Sequence, residues 1–531
     1  MIPGSRPAAR GWRRQGTVPS SEALEVLLLL RDQGATPPRD VFALGSQPIH
    51  DREHLRHAEL LEKSRASRRD IQAVRRFAND HGLAVRRVSA AARTVVLEGR
   101  ARDMHRAFAT KLHVYRRGDD VFRSHEHAIR LPKELTQIVS GVFGLDNRPV
   151  SRRPHFAAGA AAAPPPVNAN TKLPSAFRGL YSFPDHATGK GQCIGVLEFG
   201  GGFERTKLTT YLSRLGVSAP KLVVRQIKPA RNLPLNKPGA LSPDVEVYMD
   251  LEIVASTAPG STIVVYFGEN TSKGWLETVH TAIFDQENRP AVLSISWGMA
   301  EQDWDPQTMR ALDEAFRLAA ALGITVCCSS GDRGVFEAGQ PFTVAFPASS
   351  PYVLACGGTQ LATLPKGTIQ ESVWNQSRTV GLTSGGGVSR VYDRPPFQSS
   401  CKVPTHATTG APGRAIPDVA ANASSLTGFL IFADDTAMSM GGTSAAAPLW
   451  AGLVACLNEC LNRRIGYLTP LLYTHRGTLH GALRDIVDGN NQMAGRQGYR
   501  ARRGWDACTG WGSPHGQNLL RWLRRRAEPK R

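Results

Sequence analysis

Three short stretches of this chain carry residue types that could do chemistry: a serine, a pair of carboxyls and a further aspartate. The first is Gly442-Thr443-Ser444-Ala445-Ala446-Ala447-Pro448, which runs directly into an apolar segment, Leu449 to Leu461. Leu449, Leu453, Cys456 and Leu457 share one helical stripe, so Ser444 is expected near a helix N-terminus. Unpaired backbone N–H groups and the positive end of the helix dipole face that place. They stabilise oxyanion charge, which suits a serine nucleophile. A serine that merely caps the helix would occupy the same place.

The second stretch is Ser242-Pro243-Asp244-Val245-Glu246-Val247-Tyr248-Met249-Asp250-Leu251-Glu252. Ser242 suits an N-cap and Pro243 the first helical position. Glu246 and Asp250 then stand at i and i+4 on one face, where like charges repel. Two facing carboxyls can share a proton, which makes one a base that the other orients. Leu251, Ile253 and Val254 mark the helix as largely buried, where an idle charge is costly. The third stretch, Thr325 to Asp332, is an apolar β-prone run ending in Ser-Ser-Gly-Asp. Active-site groups of parallel α/β sheets collect beyond the carboxyl ends of strands, where Asp332 stands. Aspartate is also an ordinary turn residue.

Together the three stretches resemble the sedolisin family of serine-carboxyl peptidases, and within it the kumamolisin-like members. Val142-Phe143-Gly144-Leu145-Asp146-Asn147-Arg148-Pro149, Ser294-Ile295-Ser296-Trp297-Gly298, Phe346-Pro347-Ala348-Ser349-Ser350-Pro351-Tyr352-Val353, Cys356-Gly357-Gly358-Thr359 and Gly504-Trp505-Asp506-Ala507-Cys508-Thr509-Gly510 extend the resemblance over nearly the whole chain. It implies an endopeptidase in which Ser444 attacks the scissile carbonyl and Glu246 is the general base. Asp250 orients Glu246, and Asp332 donates to the oxyanion. Glu198 and Trp297 would surround the dyad; Ser296–Gly298 and Ser384–Gly387 would edge the substrate. Carboxyl groups titrate near pH 4, so activity is expected in acid. Removal of tripeptides, as in some relatives, is the other activity the resemblance admits. The family's acid beside the first specificity pocket is replaced by Ala345, which argues against basic side chains there. The resemblance further implies one calcium ion per catalytic domain. Its ligands would be the carboxylates of Asp485 and Asp506 and the carbonyls of Ile486, Arg502 and Gly504, an oxygen set that suits Ca²⁺. Arg502 departs from the family's usual glycine.

These residues need a large scaffold, and 531 residues supply one. Alternation of apolar strands and helices from about residue 170 predicts an α/β domain with a mostly parallel sheet, subtilisin-like by resemblance. Strands are expected at Cys193–Phe199, Thr262–Phe267, Val292–Ser296, Thr325–Ser330, Tyr352–Ala355 and Phe429–Phe432. Residues 23–150 read as a small α+β domain with an antiparallel sheet, by resemblance a propeptide that blocks the cleft. Its helices are expected at Arg69–His81 and Ala101–Thr110, a hairpin at Leu83–Val88 and Thr94–Leu97, and a strand at Leu27–Leu30. Residues 1–22 are expected to be mobile. An Ala/Pro-rich linker, 151–169, is the expected place of autocleavage before a catalytic domain at 170–527.

The net charge is +20. Residues 1–150 hold 27 Lys/Arg and 17 Asp/Glu, so the N-terminal domain is basic. The acids are interspersed and no nucleic-acid motif is present, so nucleic acid is not an expected partner. Leu27–Leu30 is too short for a signal or membrane segment. The eight cysteines lack zinc-like spacing, and bridges through Cys401 or Cys508 stay open. The resemblance implies a secreted monomer acting on proteins or peptides, inhibited by its own propeptide.

Overall fold

The computed structural model describes residues 1–5, 12–32, 40–118, 120–151, 166–235, 242–339, 341–362, 370–479 and 481–526. Most of the expected linker, residues 152–165, lies outside them.

Leu27-Leu28-Leu29-Leu30 belongs to a strand, Ala23–Leu30, inside a four-stranded antiparallel sheet. It lies between Thr94–Arg100 and Val139–Phe143, with Ala84–Ser89 beyond the former. Successive side chains point to opposite faces. Leu28 and Leu30 join Val74, Phe77, Met104 and Phe108 under helices Arg68–Asp80 and Ala101–Ala107. Leu27 and Leu29, with Val96 and Phe143, belong to the core shared with the larger domain. Burial on both faces explains the unbroken apolar run.

Within residues 1–22, expected to be mobile, Arg13–Thr17 forms a strand. Arg13–Thr17 pairs antiparallel with Leu112–Arg117, which pairs with Asp120–His125. Its side chains are mostly exposed, so backbone pairing rather than hydrophobic pattern holds it. Trp12 adds ring contacts with Tyr115 and Phe122, 5.5 and 4.8 Å between centroids, and Ile2 is buried.

The larger domain is built on an eight-stranded sheet. Its order is Gln370–Val373, Leu354–Ala362, Thr325–Ser329, Val292–Ile295, Cys193–Glu198, Thr262–Phe267 and Lys221–Gln226, with Val419–Asn422 also paired to Leu354–Ala362. All pairs are parallel except that of Gln370–Val373. Phe429–Phe432 is not part of this sheet. Phe429–Ala433 forms an antiparallel hairpin with Thr436–Met440, turned at Asp434 and Asp435, both at positive φ; an Asp-Asp pair tolerates the primed turn that twisted hairpins favour. The strand expected at Tyr352 starts at Leu354 and continues to Ala362.

Two helices bring the chemistry-bearing residues in. Pro243–Thr257 is capped by the Ser242 hydroxyl, which accepts from Asp244 N, and every residue from Asp244 on is buried. Thr443–Leu461 is buried through Asn458 and packs along the first helix. A side chain at Gly452 would strike Thr257, so glycine sets this close approach. By length and composition Thr443–Leu461 could cross a membrane; here it is a core helix.

Candidate active site

Ser444 is the second residue of its helix. The cap is Gly442, at φ 87°. Pro448, four residues on, has no N–H to offer the Ser444 carbonyl. The Ser296 hydroxyl fills that place, 3.2 Å from Ser444 O. Ser444 Oγ donates to Ser296 O at 3.4 Å. Ser296 Oγ also lies 2.9 Å from Asp250 Oδ1. One hydroxyl carries one proton, so both contacts are satisfied together when Asp250 is protonated and donates to Ser296.

Burial first, then the charges of Glu198 and Glu246, holds the Asp250 carboxyl well above the usual carboxylate range; the Ser296 contact opposes this. Burial likewise pushes Glu198 far up, opposed by the Trp297 indole N–H that donates to it at 2.9 Å and reinforced by Glu246. Glu198, Glu246 and Asp250 therefore form one buried carboxyl cluster, each at most 1% exposed. Glu198 and Asp250, both raised, favour the folded state fully below about pH 4, their unfolded value. The contribution is lost as pH rises through the folded values. The melting temperature of a Ser444→Ala chain, which is spared autolysis, should fall between pH 4 and 7. Glu198→Gln should flatten that fall; a parallel curve would show that Glu198 is not a titrating member.

Asp332 follows the strand Thr325–Ser329 at its carboxyl end. Its Oδ1 accepts from Thr443 N at 2.8 Å and Thr443 Oγ1 at 2.7 Å, which ties it to the residue before Ser444. Ser384–Gly387, expected as a substrate edge, gives its backbone to this turn. Gly385 N donates to Gly331 O at 2.7 Å, and Thr383 N, just before the run, donates to Asp332 O at 2.8 Å. Sequence reasoning missed Ser296 and Thr443 as the hydroxyls that join these groups. Both lie inside the recognised motifs, but only packing shows which carboxyl each faces.

His280, the one histidine between residues 187 and 405, lies on helix Ser272–Ile283. It is buried, which lowers its pKa to about 3, and it lines a cavity of about 590 Å³ with Leu27 and Arg87 of the N-terminal domain. It belongs to the interdomain contact. All eight cysteines are free thiols.

At the expected calcium site, Asp506 is buried. Its carboxylate accepts from Arg502 N, Cys508 N, Thr509 N and the Thr509 hydroxyl. Asp485 Oδ2 accepts from Gly504 N at 2.9 Å, so both carboxylates face the 502–506 loop. Among the described residues no Lys or Arg side chain pairs with Asp506, and no cluster of three His, Cys, Asp or Glu side chains surrounds it. A hard cation with two carboxylates and backbone carbonyls fits this donor set. Arg502 is absent from the left-handed backbone region, so its replacement of glycine is unstrained. Its side chain turns to the carbonyls of Trp505 and Lys402.

A parallel subtilisin-like sheet, a serine at the start of the central helix and buried carboxyls around it define a class of serine peptidase. Comparisons with known proteins place the chain within that class. Residues 10–148 match the Pro-kumamolisin activation domain, and residues 240–499 match the subtilase family. Kumamolisin of Bacillus sp. (strain MN-32) is 40% identical, over 96% of this chain and 93% of the relative. Tripeptidyl-peptidase sed5 of Aspergillus fumigatus is 30% identical, over 99% and 97%. The solved structure of Pseudomonas sedolisin, in complex with pseudo-iodotyrostatin, aligns with a TM-score of 0.61 and 29% identity, covering 68% of this chain and all of that one. The chain belongs to the sedolisin family of serine-carboxyl peptidases, in its kumamolisin-like branch, with an N-terminal activation domain.

Proposed function

We propose that the protein is an acid-active endopeptidase made as a zymogen. Ser444 Oγ attacks the scissile carbonyl carbon while Glu246 accepts its proton. Asp332, in its acid form, donates to the oxyanion. Glu246 then returns the proton to the departing amine, and a water repeats the cycle on the acyl-enzyme. Asp250 fixes Glu246 through their shared helix face. The observation that carries this reading is the convergence at the carboxyl ends of two central strands: Ser296 spans Ser444 and Asp250 while Thr443 spans Ser444 and Asp332. Incubation of the purified chain at acid pH, followed by mass spectrometry of new N-termini, tests it. Hydrolysis of N-terminally blocked peptides separates an endopeptidase from a tripeptidyl peptidase. A mechanism that needs acid implies work in an acidic space, in keeping with secretion.

The activation domain sits on the catalytic domain through helices Ser272–Ile283 and Pro306–Ala321. Gln307 bonds both backbone groups of Val142, at 3.0 and 3.2 Å, and Lys273 pairs with Glu25 at 3.2 Å. This docking is compatible with a propeptide that inhibits until cleaved.

Asp485 and Asp506, with the carbonyls of Ile486, Arg502 and Gly504, would hold one calcium ion, which would supply cross-linking charge. Removing it should lower the melting temperature of the processed enzyme more than its turnover. Saturation a hundredfold above Kd adds about 2.7 kcal/mol of stability. A chelator titration that leaves the melting temperature unmoved would refute the site.

A further inference from the structure

The activation domain does not keep all of its apolar side chains for itself. Among the described residues, the core beneath its helices contains Leu30 and Ala66 but nothing between them. Val41, Ile49 and Leu55, from that interval, are buried in the core of the catalytic domain. Asp40 caps helix Val41–Ser46, its carboxylate accepting from Phe42 N and Ala43 N. The helix packs on helices Thr469–Thr474 and Pro306–Ala321. A Cβ on Gly45 would lie 2.7 Å from Pro470 Cγ, so glycine admits this approach. The Phe42 ring stacks on Tyr352, 5.2 Å between centroids and 8° between planes, and also contacts Phe397 and Tyr467.

Arg52 fastens the middle of this segment. It is buried, which lowers its pKa to about 9, so it stays charged below that pH. Its guanidinium donates to Ile465 O at 2.6 Å and Tyr467 O at 3.1 Å in the catalytic domain, and to Gln47 O and Gly45 O within the segment. Among the described residues no carboxylate forms an ion pair with it. Four backbone carbonyls thus make a socket that suits a planar, forked donor. Leu55 N donates to Ala321 O at 2.8 Å, and Arg463 Nη1 to Ile49 O at 3.1 Å.

These contacts lie at the amino ends of the parallel strands. Thr325, the first residue of its strand, donates its hydroxyl to Gly466 O, and Tyr352 precedes the strand that starts at Leu354. Ser296 and Asp332 follow the carboxyl ends, so a segment bound here does not cover Ser444.

We propose that residues 40–57 are a strap of the catalytic domain, and that its groove of Tyr352, Phe397 and Tyr467, with the socket for Arg52, keeps them bound as a separate chain after the linker is cut. The inference rests on the zymogen reading above. A cut within residues 151–169 breaks none of the strap's contacts. The sheet of the activation domain meets the catalytic domain elsewhere, through Lys273 and Gln307. The processed enzyme is then a molecule of two chains, one of which is structural.

The test is acid incubation until the linker is cut, gel filtration at neutral pH, and denaturing intact-mass spectrometry of the active peak. The catalytic chain should carry a fragment that contains residues 40–57, in about equal amount. Active enzyme that elutes without such a fragment overturns the proposal. Arg52→Ala strands the carbonyls of Ile465 and Tyr467. It should speed loss of the fragment at least about tenfold, because truncating a buried hydrogen-bonded charge acts mainly on dissociation. Retention unchanged by Arg52→Ala overturns the socket. If that variant does not fold, Phe42→Ala, which removes only the stacked ring, is read in the same way. A chain that never cuts itself overturns the zymogen reading alone, and hydrogen exchange of the intact chain then decides the strap. Helix Val41–Ser46 should exchange in step with Thr469–Thr474. Exchange ahead of Thr469–Thr474, in step with the strand Ala23–Leu30, overturns it.

Discussion

Ser444→Ala should stay full-length in acid while the parent chain cuts itself between its two domains. The alanine removes one oxygen from a fully buried position and leaves the helix cap at Gly442 untouched. Its fold should therefore persist. The chemistry should not, because nothing else near the scissile carbonyl can form the acyl-enzyme; in subtilisin, loss of the serine costs about 10⁶ in kcat. The measurement is intact-mass spectrometry during acid incubation, with a protease-free control preparation. Self-cleavage by Ser444→Ala within residues 151–169 would remove Ser444 from the role of nucleophile.

Glu246→Gln should be nearly inactive at every pH. The amide keeps the size of the carboxyl and much of its hydrogen bonding but cannot take the serine proton. A positioned general base contributes about 10²–10⁴-fold, so turnover should fall at least that far. Glu246→His should not rescue the reaction in acid. Its ordinary pKa is about 6.5, and the neighbouring carboxyls would favour the charged ring, which is no base. Both variants, processed in trans by wild-type enzyme, can be profiled against a blocked peptide from pH 3 to 8. Near-wild-type turnover by Glu246→Gln anywhere in that range would sink the carboxylate-base mechanism.

Much of the site was legible because its parts are local. The Glu246–Asp250 spacing needs only a helix, and Ser242-Pro243 starts one. Gly442 and the apolar run after Pro448 put Ser444 at a helix start. Thr325–Ser329 ends where Asp332 begins. Errors fell where backbone pairing, not side-chain pattern, decides. Arg13–Thr17 is polar yet is a strand, because Leu112–Arg117 offers it a partner. Phe429–Ala433 is apolar and β-prone, yet it turns back on Thr436–Met440 and leaves the parallel sheet. The fully buried helices defeat amphipathic reading as well: Pro243–Thr257 has no solvent-exposed face, so periodicity gives its existence but not its neighbours.

By itself the sequence determined most element types, the order of the chemistry-bearing residues and the two-domain plan, since caps, turns and apolar periods act over a few residues. Only the tertiary structure decided which groups meet across the chain. Ser296 reaches Asp250 and Ser444, which lie 46 and 148 residues away along the sequence. Thr443 reaches Asp332 across 111 residues. These contacts arise from the order of strands in the sheet and the close approach of two buried helices, and they set the burial that raises the carboxyls. Burial is a property of everything packed around a group, and no local run of residues encodes it.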